Sequence, residues 1–205
     1  MSSDSHSSRP RGRSGTEAAI VEAAQRLLLR DGWSALNVQS LAAEAGFDRK
    51  LIYRYFGGVD GVVARLARAL DLWLGQTLAE APPSAAATYR DFARETLKAY
   101  LAALRANPLI LRLLAWELSA DTPQLRDMER ARSAVVQDWM RERRPRLRLP
   151  PQGDVVALNA VLLGAVQHLA LTGAGRGRFG GLELDAAGWS RIEAAIDQLT
   201  AAWPD

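Results

Sequence analysis

Apolar residues recur at three- and four-residue intervals along most of this chain, and the runs stop at glycines, prolines or side chains able to cap a helix. Ile20, Ala24, Leu27 and Leu28 share one face of a helix predicted from Thr16 to Arg30, with Gly32 closing it. Val38, Leu41 and Ala42 make the apolar face of a shorter helix that Asn37 can cap, by accepting a hydrogen bond from a free backbone N–H. Gly46 stands where a chain leaving a helix needs the left-handed conformation. Asp48 then caps a third helix, Arg49 to Phe56. Asp60 to Leu78 follows with Val62, Val63, Leu66, Leu70 and Leu74 at helical spacing, ending at Pro82-Pro83. Further helices are predicted over Ala85–Ala106, from Asn107-Pro108 to about Ser119, and from Thr122-Pro123 to Arg144. Arg141 to Gly153, with three prolines, reads as a linker, Asp154 to Thr172 as a strongly apolar helix, Gly173 to Leu184 as a glycine-rich loop, and Asp185 to Ala202 as a last amphipathic helix. No strand-like alternation is evident beyond Asp60, and no internal repeat. The expected fold class is all-α.

Within this pattern residues 37–56 form two short helices joined by a tight turn, the second basic and aromatic. That is either an ordinary αα-corner with a solvated helix or a helix-turn-helix whose second helix enters the major groove of DNA. Arg49 and Lys50 can donate to guanine O6 and N7, and Leu51 can touch a thymine methyl. Arg54 is open between a phosphate contact and a solvated charge. Gln39 and Ser40, with the capping Asn37, lie at the start of the first motif helix, where backbone phosphate contacts are made.

The stretch from Ala19-Ile-Val-Glu-Ala-Ala-Gln-Arg-Leu27 through Ala45-Gly46-Phe47 to Tyr53-Arg54-Tyr55-Phe56 resembles the DNA-binding domain of the TetR family of transcriptional regulators. The resemblance runs over residues 14–74. It implies a helix-turn-helix domain over 14–74 and a helical effector-binding and dimerisation domain over 75–205; residues 1–13, polar and short of apolar residues, read as a disordered basic arm. It also places Tyr53 and Tyr55 near the DNA backbone. Three departures stand out. Asp48, Lys50 and Leu51 replace the family's usual opening of the recognition helix, which makes Asp48 a cap rather than a DNA contact. Gly58-Val59-Asp60 stands where Ser-Lys-Glu is common, so a phosphate-binding Lys is missing.

Charge agrees with the motif. Residues 9–70 hold ten Arg or Lys against six Asp or Glu, whereas the rest holds 16 against 17. A basic third on a near-neutral body is the footprint of a module that meets phosphates. Arg9, Arg11 and Arg13 form a basic arm, read either as a solubilising tail or as a reach toward phosphates or the minor groove. The chain has 205 residues, enough for a core, and no Cys, which excludes disulfides and thiolate metal sites. No apolar run reaches the ~18 residues of a membrane span, and the Ser-rich N-terminus lacks a signal-peptide core, so a cytoplasmic location is expected.

The C-terminal half offers two further constellations. Trp189, Ile192, Ile196, Leu199 and Trp203 form a stripe on the last helix, and Leu158, Val161, Leu162, Ala165 and Leu169 one on the helix before it. Either packs on the chain's own core or forms a two-fold dimer; the resemblance implies a four-helix dimer interface from these last two helices. Tyr100, Trp116, Trp139, Gln167 and His168 are candidates to line a pocket for a compact, mainly apolar or aromatic effector, with core packing as their alternative role. His168 is the single His outside the tail, so no multi-His metal site is expected, and no cofactor.

Three functions compete. A homodimeric repressor would bind a palindromic operator in double-stranded DNA and be released by a small molecule. An all-α enzyme would need a nucleophile–base pair or a carboxylate cluster, and neither is found. A helical adaptor would use the basic helix to bind protein. The first accounts for most of the pattern.

Overall fold

The structure is a computed structural model that describes residues 12–80, 86–119, 123–143, 147 and 154–203. The basic arm expected over 1–13 lies outside the described residues apart from Gly12 and Arg13. So do Pro82-Pro83, Thr122 and most of the 141–153 linker. Among the described residues the fold is helical, as the spacing of apolar positions requires: α1 (Arg13–Asp31), α2 (Val38–Ala45), α3 (Arg49–Phe56), α4 (Val59–Glu80), α5 (Tyr89–Ala106), α6 (Pro108–Glu117), α7 (Pro123–Arg143), α8 (Val155–Arg176) and α9 (Ala186–Ala201). The chain separates into two compact units, dividing between Ala69 and Leu70, within α4.

The first unit is held by one small core. Ile20, Ala23, Ala24 and Leu27 of α1, Leu41 of α2, Ile52 of α3 and Val62 of α4 are fully or nearly fully buried together. Four helices thus converge on side chains spaced three or four apart, and Phe47 and Phe56 seal the edge. α1 starts earlier than its apolar pattern, at Arg13, where Arg13 pairs with Glu17 one turn on at 2.6 Å. Gly61 lies so close to the end of α3 that a Cβ there would sit 1.8 Å from the Phe56 carbonyl oxygen. Only glycine permits α4 to start where it does.

In the second unit α5 packs against α6, α8 and α9, burying Tyr89, Phe92, Leu97, Tyr100, Leu101 and Leu104. Its start falls four residues later than expected. The Thr88 hydroxyl accepts from the Asp91 N–H and caps the helix, a signal that the apolar pattern passed over. Asn107, Asp154 and Asp185 cap α6, α8 and α9 in the same way.

One expectation is corrected here. The glycine-rich loop over 173–184 is instead the last turn of α8 followed by a hairpin, β1 (Arg178–Phe179) antiparallel to β2 (Leu182–Glu183). Strands of two residues are too short to show alternation. The turn between them, Gly180-Gly181, has φ of 57° and 81°, the doubly positive backbone that a tight hairpin needs. α8 is also long and apolar enough, by length and composition, to cross a membrane, a test that core helices of soluble proteins pass as well. Asn159, Gln167 and His168 interrupt the run without lowering its average below that of a span. Only 11% of its apolar window is buried.

The stripe on α9 is also distributed differently. Trp189 and Ile196 are buried within the chain, at 8% and 6% exposure. The Arg105 guanidinium of α5 covers the Trp189 ring at 4.4 Å, and Lys98 of α5 pairs with Asp197. α5 packs along α9, and the Trp189 ring also lies over Gly173 of α8, so this part of the stripe is covered within its own unit. Ile192, Leu162 and Leu169 are half-buried, while Leu158, Ala165 and Leu199 are exposed. Val161, one of the expected stripe, and Val156, which is not, are the most exposed large apolar side chains of α8.

Candidate nucleic-acid interface and effector cavity

The helix-turn-helix is built by local hydrogen bonds that leave one face of α3 uncommitted. Asn37 Oδ1 accepts from the N–H groups of Gln39 and Ser40, at 3.0 and 2.9 Å. The Ser40 hydroxyl in return accepts from the Asn37 N–H at 3.2 Å and also bonds the Ala35 carbonyl. This reciprocal capping box fixes the start of α2. It occupies the side chains of Asn37 and Ser40, whereas Gln39 between them is exposed and free to reach outward. α2 ends at Gly46, with φ of 69° and ψ of 28°. Asp48 Oδ1 then accepts from the Lys50 N–H at 2.8 Å, which makes this carboxylate a cap.

On α3, Ile52 is the anchor, with no exposure. Arg49, Lys50, Tyr53 and Arg54 are exposed, and at 3.6 residues per turn they share one side of the helix, with Lys50 and Arg54 farthest from Ile52. Leu51 and Tyr55 are half-buried at the flanks. The Tyr55 ring lies between two guanidinium groups, Arg13 of α1 at 5.4 Å and Arg54 at 5.7 Å from its centroid. That arrangement ties the first turn of α1 to the recognition helix through cation–π attraction. Sequence reading had placed Arg13 in the arm; its i, i+4 partner Glu17 was the available signal that it is helical.

One acidic group of this unit, Glu44, is committed to basic partners. Glu44 is gripped by Arg26 at 2.8 Å and Arg30 at 3.1 Å. The hydrogen bonds from Arg26 and Arg30 hold its carboxyl below the usual range.

The second unit holds a cavity of about 350 Å³ walled by α5, α6, α7 and α8. Tyr100 and Gln167 both line it, and the Tyr100 hydroxyl donates to Gln167 Oε1 at 2.9 Å. Trp116, Trp139 and His168 do not line it. The Trp139 indole N–H donates to the Leu78 carbonyl of α4 at 2.7 Å and is buried there. His168 is exposed and meets the Phe179 ring edge-on at 5.0 Å. Trp116 is half-buried.

The cavity wall instead contains charged groups that periodicity did not single out. Arg132 of α7 and Glu117 of α6 form an ion pair with both side chains 8% exposed. A buried pair of this kind leaves a costly lone charge if either partner is lost. Asp71 of α4 feels both groups. Burial pushes its carboxyl up to about 6, Arg132 opposes the rise, and Glu117 adds to it. Burial also raises the Tyr100 phenol. The spacing does carry a signal: Arg132 falls four residues after Met128 and four before Val136, on the buried face of α7, whereas its exposed neighbour Arg130 falls off that face.

Comparison with known proteins bears on both regions. Residues 20–66 match the family model of bacterial regulatory proteins, tetR family. The HTH-type transcriptional regulator AlkX of Mycobacterium tuberculosis is 29% identical over 108 residues, 52% of this chain and 51% of that protein, so the chain spans about half the length of this curated relative. Among solved structures, a TetR-family transcriptional regulator from Haemophilus influenzae Rd shares 20% identity at a TM-score of 0.61, covering 96% of this chain and 100% of that one. A TetR-family regulator from Marinobacter aquaeolei VT8 gives 18% and 0.60, over 93% and 96% of the two chains. The SmeT–triclosan complex gives 18% and 0.63, over 93% and 92%. These likenesses extend the shared fold through the C-terminal unit, and the relatives are regulators rather than enzymes. Over residues 20–66 the chain is thus similar to the tetR family of bacterial regulatory proteins, and beyond them it shares the fold of TetR-family regulators.

Proposed function

We propose that the protein is a cytoplasmic, homodimeric transcriptional repressor that binds a palindromic operator and leaves it when a small molecule enters the C-terminal cavity. The observation that carries the DNA-binding part is the uncommitted face of α3. Arg49, Lys50, Tyr53 and Arg54 are exposed side by side while one residue, Ile52, pins the helix to its core. In this reading Arg49, Lys50 and Leu51 read base edges. Tyr53, Tyr55, Arg54 and Gln39 hold phosphates, with Asn37 and Ser40 presenting the N-terminus of α2. The working division is a DNA-binding domain over 14–74 and an effector and dimerisation domain over 75–205.

A two-fold dimer sets two α3 helices one helical turn apart, roughly 34–36 Å, to grip both half-sites. An effector that prefers a state with another spacing weakens DNA binding by its differential affinity for the two states. The exposed apolar side of α8 supports the dimer, and the cavity beside Tyr100 and Gln167 supports the effector site. SmeT, which shares the fold, is described as a complex with triclosan. Selection of bound sequences from random duplexes tests the reading: an inverted repeat should emerge, with affinity falling steeply as salt rises. Enrichment of no sequence, or affinity insensitive to salt, overturns it.

A further inference from the structure

A second cavity, about 390 Å³, adjoins the first. Gln137, Met140 and Leu163 line both, so side chains alone separate them. On α8, Asn159, Leu163 and Gln167 fall at i, i+4 and i+8, one row along the helix that spans about 12 Å at 1.5 Å per residue. On α5, Tyr89 and Tyr100 stand three turns apart on the buried face. Each tyrosine meets one amide of that row. Asn159 Nδ2 donates to the Tyr89 hydroxyl at 2.7 Å, and the Tyr100 hydroxyl donates to Gln167 Oε1 at 2.9 Å. The two cavities therefore form a trough with a tyrosine–amide pair at each end and apolar Leu163 and Met140 between. Trp203 stacks on Tyr89 at 6.1 Å and backs the Asn159 end.

We propose that one linear molecule occupies both cavities, with a hydrogen-bonding group at each end and an apolar middle. This deepens the reading of the first cavity as the effector site and rests on it. Each pair keeps capacity for a ligand. Tyr89 accepts from Asn159, leaving its own O–H and the Asn159 carbonyl oxygen to bond the ligand. Gln167 accepts through Oε1, leaving its amide N–H groups. The partition between the ends is unbranched Met140 and Gln137 against Leu163, side chains that change rotamer without moving a backbone. A compact aromatic ligand would fill one cavity and leave the other pair unused.

The test uses the full chain and 1,n-alkanediols from butanediol to tetradecanediol, titrated by calorimetry. Affinity should rise about fourfold per methylene as apolar length is buried. It should peak at about ten carbons, the length that spans the row, at one molecule per chain. Leu163→Phe fills the shared middle and should abolish the length optimum while its circular dichroism matches the parent. Asn159→Ala, a milder change, should weaken decanediol by about 2–10-fold. Two short diols per chain without a length optimum, or an optimum that neither variant disturbs, overturns the proposal. Diols that bind one per chain at the expected length but leave DNA binding unchanged support the linear site and sink the effector reading. Release of DNA by some other compound, with no diol binding, overturns the linear ligand and leaves the effector reading standing.

Discussion

Replacing Val161 with Glu separates a dimer face from a monomer core, because its side chain is 67% exposed within one chain. Val156, Leu158, Val161 and Leu199 are between 38% and 79% exposed. Full burial of such side chains is worth about 1.5–3 kcal/mol each. At these exposures the four contribute roughly 4–7 kcal/mol per protomer, and a two-fold interface doubles that to about 8–14 kcal/mol. Association itself costs about 4–15 kcal/mol, so such a dimer is held by a margin that one charge per protomer can erase. Val161→Glu removes about 1–2 kcal/mol of burial per protomer and leaves an unpaired carboxylate in the seam, so dissociation should strengthen more than a hundredfold. Sedimentation equilibrium across a concentration series reads this directly, with thermal unfolding of the monomer unchanged. Ile196→Ala is the opposite control. Ile196 is buried against its own chain, so truncation should cost about 2–5 kcal/mol of stability and leave the oligomer constant alone. A parent that is monomeric at micromolar concentration, or a Val161→Glu variant that associates like the parent, refutes this account of α8.

Lys50→Ala should cost about 1–3 kcal/mol on the selected operator and relax preference at one base pair, measured by binding to single-substituted duplexes; unchanged affinity and preference would remove Lys50 from the base-reading set. Arg132→Ala strands Glu117 in the cavity wall and should lower unfolding free energy by about 3–5 kcal/mol in denaturant titration. Asp71 gives a pH dependence. Its folded-state value, about 6, lies above the usual 3.8, so the native state holds the extra proton between these values and stability falls as pH rises through that window. Asp71→Asn should flatten the slope and gain about 1 kcal/mol at pH 7, allowing for screening of a half-exposed group. Melting temperatures compared at pH 4.5 and pH 7 check the sign, and an unaltered slope rejects it.

Helices were legible because their stop signals are local. Asn37, Gly46 and Asp48 bracket α2 and α3 by hydrogen bonds spanning two to four residues, and these can be read from residue types. What periodicity did not resolve is which partner a stripe meets. Trp189 and Ile196 carry the spacing of an interface, yet their own unit covers them, and exposed Val161 shares its helix with the half-buried Leu162. The cavity was least legible. Its wall combines Arg132, Glu117 and Met140 from two helices whose sequences read as solvated or core, and only tertiary packing joins them. Gln167 was legible because a polar group inside an apolar helix needs a partner, and Tyr100 because aromatic walls are usual in such cavities. Trp139 reads from the sequence as an aromatic wall of the pocket, yet its indole N–H is committed to the Leu78 carbonyl.

The single-residue anchoring of α3 makes this module unusually suited to retargeting. Because Ile52 alone on that helix is fully buried, positions 49, 50, 53 and 54 contribute nothing to the core of the first unit. A library randomised at those four positions should retain folding in nearly every member, so selection would act on DNA preference alone. Gly61 sets the boundary of such a library: any side chain there collides with the last carbonyl of α3 and re-aims the helix. Variation on one side of that boundary changes which sequence is read, and variation at it changes whether anything is read at all.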